Sequence, residues 1–331
     1  TITNQIIEHN HEKAQSQTEL DDIIGQEQAK RALTIAIAGH HNILLTGPPG
    51  TGKTMLAQAA LNLLPNLSKE EILEVLKIHG LVEDVDSKIS RPFRTPHHTA
   101  SKVSIIGGGS KALPGEISLA HNGVLFLDEM PEFPKSVLES LRQPLEDRKI
   151  TISRTNRKSS YPANFMLIAT MNPCPCGFYG DETKECTCSP AQISNYQRKL
   201  SGPLIDRIDM VVNVNRIKNE NLLKTTPSKK NEHANAKKQI EKSLKLQHKR
   251  YGCSNLYNSM AKTNVVKSSF KISKEAEDLL NLATSKLDLS VRSYLKILKV
   301  SRTIADLEES EEIKANHISE AIQYRQKTET Y

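Results

Sequence analysis

Two stretches of this sequence place residues where they could handle a nucleotide phosphate. In Gly47-Pro-Pro-Gly-Thr-Gly-Lys53-Thr54, glycines precede a lysine and a hydroxyl. Glycines let the chain turn so that successive N–H groups face phosphate oxygens, and a following helix N-terminus adds its dipole. The apolar run Asn42 to Thr46 precedes the segment and the helix-like Met55-Leu-Ala-Gln-Ala-Ala follows it, which is the strand, loop, helix order of a P-loop. Without those flanks it would read as an ordinary Gly-rich turn. Gly47, Pro48, Pro49, Gly50, Thr51, Gly52 and Met55 are expected to line the nucleotide, Lys53 to reach the β- and γ-phosphates, and Thr54 to ligate Mg²⁺. The second stretch, Gly123-Val-Leu-Phe-Leu-Asp128-Glu129, is an apolar run ending in two carboxylates. Alone it would read as a strand with a solvated end. Beside a P-loop, Asp128 is suited to hold Mg²⁺ through water and Glu129 to polarise the attacking water.

Two further clusters carry chemistry. Cys174-Pro-Cys176 and Cys186-Thr-Cys188 place four thiols within fifteen residues, enough to close a tetrahedral structural Zn²⁺ site, although the spacing is not the commoner Cys-x2-Cys. Reduced unliganded cysteines, oxidation and another metal are the alternatives. The segment Lys149 to Pro162 alternates as a hairpin would, with a basic tip. There Arg154, Arg157 and Lys158 could grip nucleic-acid phosphates independently of sequence, or simply sit on a solvated turn. Arg91 to His121 is rich in His, Gly, Ser and basic residues, and so long a segment between core elements is usually functional or disordered. Its adjacent His97 and His98 seldom could point the same way, so a loop or polar-contact role is expected there before a metal site.

These groups need a scaffold. From Asp21 to about Val214, short apolar runs alternate with amphipathic stretches, which predicts an α/β fold with a parallel sheet flanked by helices. The candidate strands are Asn42 to Thr46, Gly123 to Asp128, Phe165 to Thr170 and Met210 to Val214, and in such sheets ligands sit at the carboxyl ends. A hydrophilic stretch from Lys218 to His233 reads as a linker. Beyond it Ala234 to Tyr251, Lys274 to Leu287, Val291 to Leu307 and Ala315 to Gln326 read as helices, with Ser273 and Ser290 as N-caps. The expected division is a polar extension over 1–20, a nucleotide-binding core over 21–217, a linker over 218–233 and a small all-helical lid over 234–331.

Composition bounds the function. The 331 residues carry a net charge of +7, permissive for polyanions. Tryptophan is absent and 4% of residues are aromatic, which argues against a base-stacking platform. No apolar run approaches the ~18 to 20 residues of a membrane span, and Thr1 to Leu20 lacks the apolar stretch of a secretory signal, so a cytosolic protein without a membrane partner is expected. In a reducing cytosol the cysteine cluster suggests metal before disulfide.

Gly47 to Thr54, Val124 to Glu129, Thr170-Met-Asn172-Pro, Leu204-Ile-Asp206-Arg207 and Val291-Arg292 fall in the order and spacing of an AAA+ ATPase. Pro92-Phe-Arg-Thr-Pro-His97-His98, Pro114 to Gly123, Cys174-Pro-Cys176-Gly and Arg302-Thr-Ile-Ala-Asp306-Leu more closely resemble the magnesium-chelatase-like YifB/ComM family. Members usually carry a Lon-like domain ahead of the ATPase, and here only about twenty polar residues precede Asp21, so the expectation is an ATPase core and lid without it.

The resemblance implies that Ile24-Gly25-Gln26 packs against adenine and that Asn172 is the polar sensor helping to place the attacking water. It further implies that Arg207 is an arginine finger for the neighbouring subunit and that Arg292 is the second sensor on the γ-phosphate. ATP and Mg²⁺ follow as cofactors, and a homo-oligomeric ring, commonly a hexamer, as the assembly. Hairpin insertions facing a central pore suit a motor acting on DNA, in translocation or branch migration during transformation or recombination. The alternative is a magnesium-chelatase-type subunit or another partner-dependent remodelling ATPase. A remodeller of proteins would call for an aromatic pore loop, and none is evident in the pore-facing segments.

Overall fold

The computed structural model describes residues 18–82, 90–154, 157–216 and 231–325, with the side chains of 153–158 outside that description. In chain order the core elements are α1 (Glu27–Gly39), β1 (Ile43–Thr46), α2 (Lys53–Leu63), α3 (Lys69–His79), β2 (Phe93–Arg94), α4 (Lys102–Ile106), β3 (Gly107–Gly108), β4 (Leu113–Pro114), α5 (Glu116–Leu119) and β5 (Val124–Leu127). They continue with α6 (Lys135–Ser140), α7 (Arg142–Asp147), β6 (Lys149–Arg154), β7 (Arg157–Pro162), β8 (Met166–Met171), α8 (Pro190–Gln197), α9 (Gly202–Ile205) and β9 (Met210–Asn213).

Five strands form one parallel sheet in the order β2-β5-β8-β1-β9. The apolar runs are continuous because this sheet is buried on both faces. Ile43, Leu45, Val124, Phe126, Met166, Ile168, Met210 and Val212 join the core beneath α1, α2 and the C-terminal helices. Leu44, Leu125, Leu127, Leu167 and Ala169 point the other way, toward α6 and the β6–β7 hairpin. Asn42 pins the amino end of the sheet: its Oδ1 accepts the Leu167 N–H at 2.9 Å and its own N–H donates to Asp209 Oδ2 at 2.9 Å.

The four expected strands are present to within a residue or so at each end. The fifth, β2, is only two residues long and follows Pro92, too short for periodicity to reveal. Gly107 starts a short hairpin, β3 with β4, and the basic segment forms the β6–β7 hairpin in which Arg154 is paired with Arg157 and Ser153 with Lys158. The Tyr161 hydroxyl donates to Ala112 O at 2.8 Å, tying the two hairpins together. As for Arg154, Arg157 and Lys158, their side chains lie outside the described residues.

The C-terminal region is helical: α10 (Glu232–Tyr251), α11 (Thr263–Ser269), α12 (Lys274–Lys286), α13 (Val291–Leu307) and α14 (Ala315–Gln323). Ser273 and Ser290 cap α12 and α13, accepting the N–H groups of Ala276 and Ser293. Helix α10 begins earlier than expected because Asp21 accepts the N–H groups of Glu232 and His233 at 3.0 and 3.1 Å, fastening its first turn to the core. The Arg302-to-Asp306 motif proves structural. Asp306 is fully buried and accepts from Arg302, Arg250 and Asn258, so the charges of α13 and α10 are paired inside the helical region.

Candidate active site

The Gly-rich segment runs from the carboxyl end of β1 into α2. A Cβ at Gly47 would meet Val214 O at 2.2 Å, and Gly52 caps α2 with φ +87°, so glycine is required at both. Lys53 is buried; its Nζ donates to Gly47 O at 2.7 Å, Pro48 O at 2.8 Å and Asn172 Oδ1 at 3.2 Å. Burial lowers the Lys53 pKa, while the nearby Asp128 and Glu129 carboxylates oppose that shift. Thr54 and Met55 at the start of α2 and Asp128 and Glu129 after β5 are exposed on one rim at the carboxyl ends of the strands, and Ile24 is exposed as well. Gln26 joins the Ile24 segment to the phosphate loop, donating through Nε2 to Thr51 O at 3.4 Å as well as to Asn215 O at 2.6 Å.

The two carboxylates are set by strand ends. Asp128 Oδ2 accepts the Thr54 hydroxyl at 3.3 Å, and Asp128 Oδ1 accepts the Thr170 hydroxyl at 2.5 Å. The same Thr170 oxygen accepts the Glu129 N–H at 2.9 Å, with Glu129 itself in the left-handed region at φ 49°. Thr170 was missed as a site residue. Its signal is a hydroxyl ending the apolar run of β8, two residues before Asn172. A hydroxyl and a carboxylate oxygen this close are the hard oxygen donors that Mg²⁺ favours, so Thr54 and Asp128 fit that ion.

Arg207 and Arg292 are not brought to this rim. Arg207 lies just before β9, where its carbonyl accepts from Asn42 Nδ2 at 3.2 Å, at the end of β1 opposite Gly47. Its guanidinium donates to Arg142 O at 2.8 Å, to Pro203 O at 2.6 Å and to Glu146 Oε2. Arg292 donates to the other oxygen of Glu146. The two arginines therefore share one carboxylate on α7, and Glu146 is a second residue that sequence reasoning missed. A glutamate on a short polar helix has no signal that separates it from a solvated one.

The four cysteines do converge. All four Sγ atoms lie within 4.8 Å of one another, and Cys174, Cys176 and Cys186 are separated by 3.3, 3.6 and 3.5 Å. A disulfide needs ~2.05 Å, so these are free thiols. A backbone hydrogen bond from Phe178 helps hold the Cys176 thiol down to about 6. Cys186 is favoured as a thiolate by the Cys188 backbone, yet burial and the sulfurs of Cys176 and Cys174 push it up to about 12. Sulfurs this close cannot all ionise without a cation among them. The His97 and His98 rings lie 4.1 Å apart and tilted by 33°, and His97 Nδ1 bonds the Thr99 hydroxyl at 2.8 Å, a local polar contact. Among the described residues the cysteines are the only group of three or more possible ligands so assembled.

Residues 19–222 match the family model described as magnesium chelatase, subunit ChlI, and residues 230–325 match its C-terminal counterpart. The chain belongs to the magnesium chelatase ChlI family. Membership makes the fold that of an AAA+ ATPase and implies the use of ATP and Mg²⁺. Competence protein ComM of Haemophilus influenzae is 46% identical over 310 residues, covering 93% of this chain and 60% of that protein. The uncharacterized protein YifB of Escherichia coli is 45% identical over 312 residues, with the same coverage. The magnesium-chelatase 67 kDa subunit of Heliobacterium mobile is 28% identical over 193 residues, 48% of this chain and 28% of that subunit. The chain thus spans about three fifths of the length of ComM and YifB. Among the described residues no helix is long and apolar enough to cross a membrane.

Proposed function

We propose that this chain hydrolyses ATP within a homo-oligomeric ring, a hexamer, and couples turnover to work on DNA. One observation carries the oligomer: Arg207 and Arg292 stand together on Glu146 at the amino end of the sheet, while Lys53, Asp128 and Glu129 gather at its carboxyl end. A γ-phosphate held by one subunit's P-loop gains those guanidinium groups from a neighbour. An arginine supplied this way contributes on the order of 10³ to 10⁵ in rate.

In this reading residues 21–217 are the nucleotide-binding core, and the lid begins with α10 at Glu232 after a linker. Ile24 packs against adenine; the backbone from Gly47 to Met55 and the Lys53 ammonium hold the phosphates. Thr54 and Asp128 hold Mg²⁺, which when bound neutralises charge developing on the β- and γ-oxygens. Glu129 orients and deprotonates the attacking water, and Asn172 aligns it. Cys174, Cys176, Cys186 and Cys188 hold a structural Zn²⁺. The DNA assignment is supported by the net charge of +7, the basic β6–β7 hairpin bearing Arg154, Arg157 and Lys158, and the likeness to a competence protein.

A second reading, a chelatase-type subunit that drives a partner, is favoured by the likeness to the magnesium-chelatase 67 kDa subunit. Steady-state ATPase rates with and without single-stranded and forked DNA, at low and moderate salt, separate the two. The motor reading expects stimulation that fades with salt. A rate indifferent to DNA at low salt would remove DNA from the account and favour the partner-driven reading.

A further inference from the structure

The loop carrying the four cysteines leans directly on the phosphate loop. Gly177, one residue past Cys176, has φ +85°, and a Cβ added there would lie 2.7 Å from Pro49 Cδ. The backbone around it is drawn toward the sulfurs: Gly177 N donates to Cys174 O at 3.0 Å, Tyr179 N to Cys174 Sγ at 3.3 Å and Cys176 N to Cys188 Sγ at 3.4 Å. A second tie runs through Arg216, beyond the end of β9. Its guanidinium lies 5.8 Å from the Phe178 ring centre, bonds Thr183 Oγ1 at 3.3 Å, pairs with Asp181 at 3.8 Å and reaches Pro49 O at 3.5 Å. Between these ties lies a cleft of about 920 Å³ whose walls include Gly47 and Pro48 on one side and Tyr179 and Asp181 on the other.

We propose that the four thiolates bind one zinc ion and that this ion, through Gly177 on Pro49 and Arg216, sets the shape of the phosphate loop, so that nucleotide affinity depends on metal occupancy. The proposal rests on the nucleotide and zinc readings above and adds the coupling between them. Zn–S bonds of ~2.3 Å in a tetrahedron place sulfurs about 3.8 Å apart, close to the 3.3, 3.6 and 3.5 Å among Cys174, Cys176 and Cys186 and inside the 4.8 Å that bounds all four. A closed all-thiolate set is the structural type, leaving no open position for catalysis. Removing the ion takes away the bonds that tie the two short Cys-x-Cys arms to each other, leaving the hydrogen bonds of Asp181 and the contacts of Arg216 to hold the loop between them. Pro49 and Pro48 then lose their outer support, and Pro48 O is one of the carbonyls that positions Lys53.

The test uses the full chain purified without chelator. Metal content is measured by elemental analysis, and affinity for a fluorescent ATP analogue before chelation, after chelation, and after zinc is restored, with circular dichroism as the control for folding. The expected result is one zinc per chain, an affinity weakened about tenfold on its removal, and recovery with zinc. Gly177→Ala, which keeps every ligand, should retain zinc and lose affinity to a similar degree. Iron in place of zinc, or no metal, overturns the site. A zinc-loaded protein that binds no nucleotide overturns the nucleotide reading instead. Zinc present and nucleotide bound, with affinities within about twofold after chelation and in Gly177→Ala, overturns the coupling.

Discussion

Thr170 donates its hydroxyl to Asp128 Oδ1 at 2.5 Å, and the same oxygen receives the Glu129 N–H. A single side chain at the end of β8 thereby orients the carboxylate assigned to Mg²⁺ and the backbone that presents the general base. Losing a hydrogen bond that orients a metal-binding carboxylate typically costs about 10- to 100-fold in metal affinity or activity. Thr170→Val should therefore raise the Mg²⁺ concentration needed for half-maximal ATPase and lower kcat by about tenfold. Thr170→Ser keeps the hydroxyl and should restore most of both. A Thr170→Val protein with unchanged Mg²⁺ dependence would remove Thr170 from the site.

Placing Arg207 at the opposite end of the sheet from Lys53 predicts complementation. Lys53→Ala and Arg207→Ala proteins should each lose ATPase by on the order of 10³. Mixed together they should regain a measurable fraction, because an intact Arg207 on one subunit meets an intact Lys53 on the next. Mixed assemblies as inactive as their parents would contradict a shared site.

The hairpin makes a salt prediction. Changing Arg154, Arg157 and Lys158 together to Ala should weaken single-stranded DNA binding and flatten the plot of log affinity against log salt by about two units, at roughly 0.7 per charge. Unchanged affinity and slope at low salt would take the hairpin out of the interface.

Asp209 joins the core to α13, with Lys296 Nζ at 3.2 Å and the Asn42 N–H at 2.9 Å. Burial opposes its charge, yet Lys296 and His41 outweigh that and hold the carboxyl well below the usual carboxylate range. A depressed folded value means stability that is full above the unfolded value near ~4 and is lost as pH falls toward the folded one. Asp209→Asn should cost about 3 kcal/mol at neutral pH by leaving Lys296 unpaired. Urea unfolding should show that gap narrowing below pH ~4; a gap constant down to pH ~3 would show that the ionised pair is not its source.

Much of this architecture is legible in the sequence, for identifiable reasons. Strands such as Val124–Leu127 and Met166–Met171 are apolar throughout because both faces of the sheet are covered. Serine caps mark the starts of α12 and α13 because local hydrogen bonds decide them. Lys53, Asp128 and Asn172 are brought together because each follows or ends a strand in the same parallel sheet. What the sequence hides is set by distant contacts. Glu146 holds arginines 61 and 146 residues away. Asp21 caps a helix 211 residues later. The cysteine spacing announces four ligands, but only the folded chain lays Gly177 on Pro49.

The most direct test of the account is nucleotide binding and steady-state ATPase measured side by side on the unaltered chain and on Glu129→Gln. The account predicts that the variant binds Mg²⁺-ATP with near-normal affinity while turnover falls by about 10² or more. Normal turnover in Glu129→Gln would contradict the assignment of the general base, and with it the hydrolytic site built here around Lys53 and Asp128.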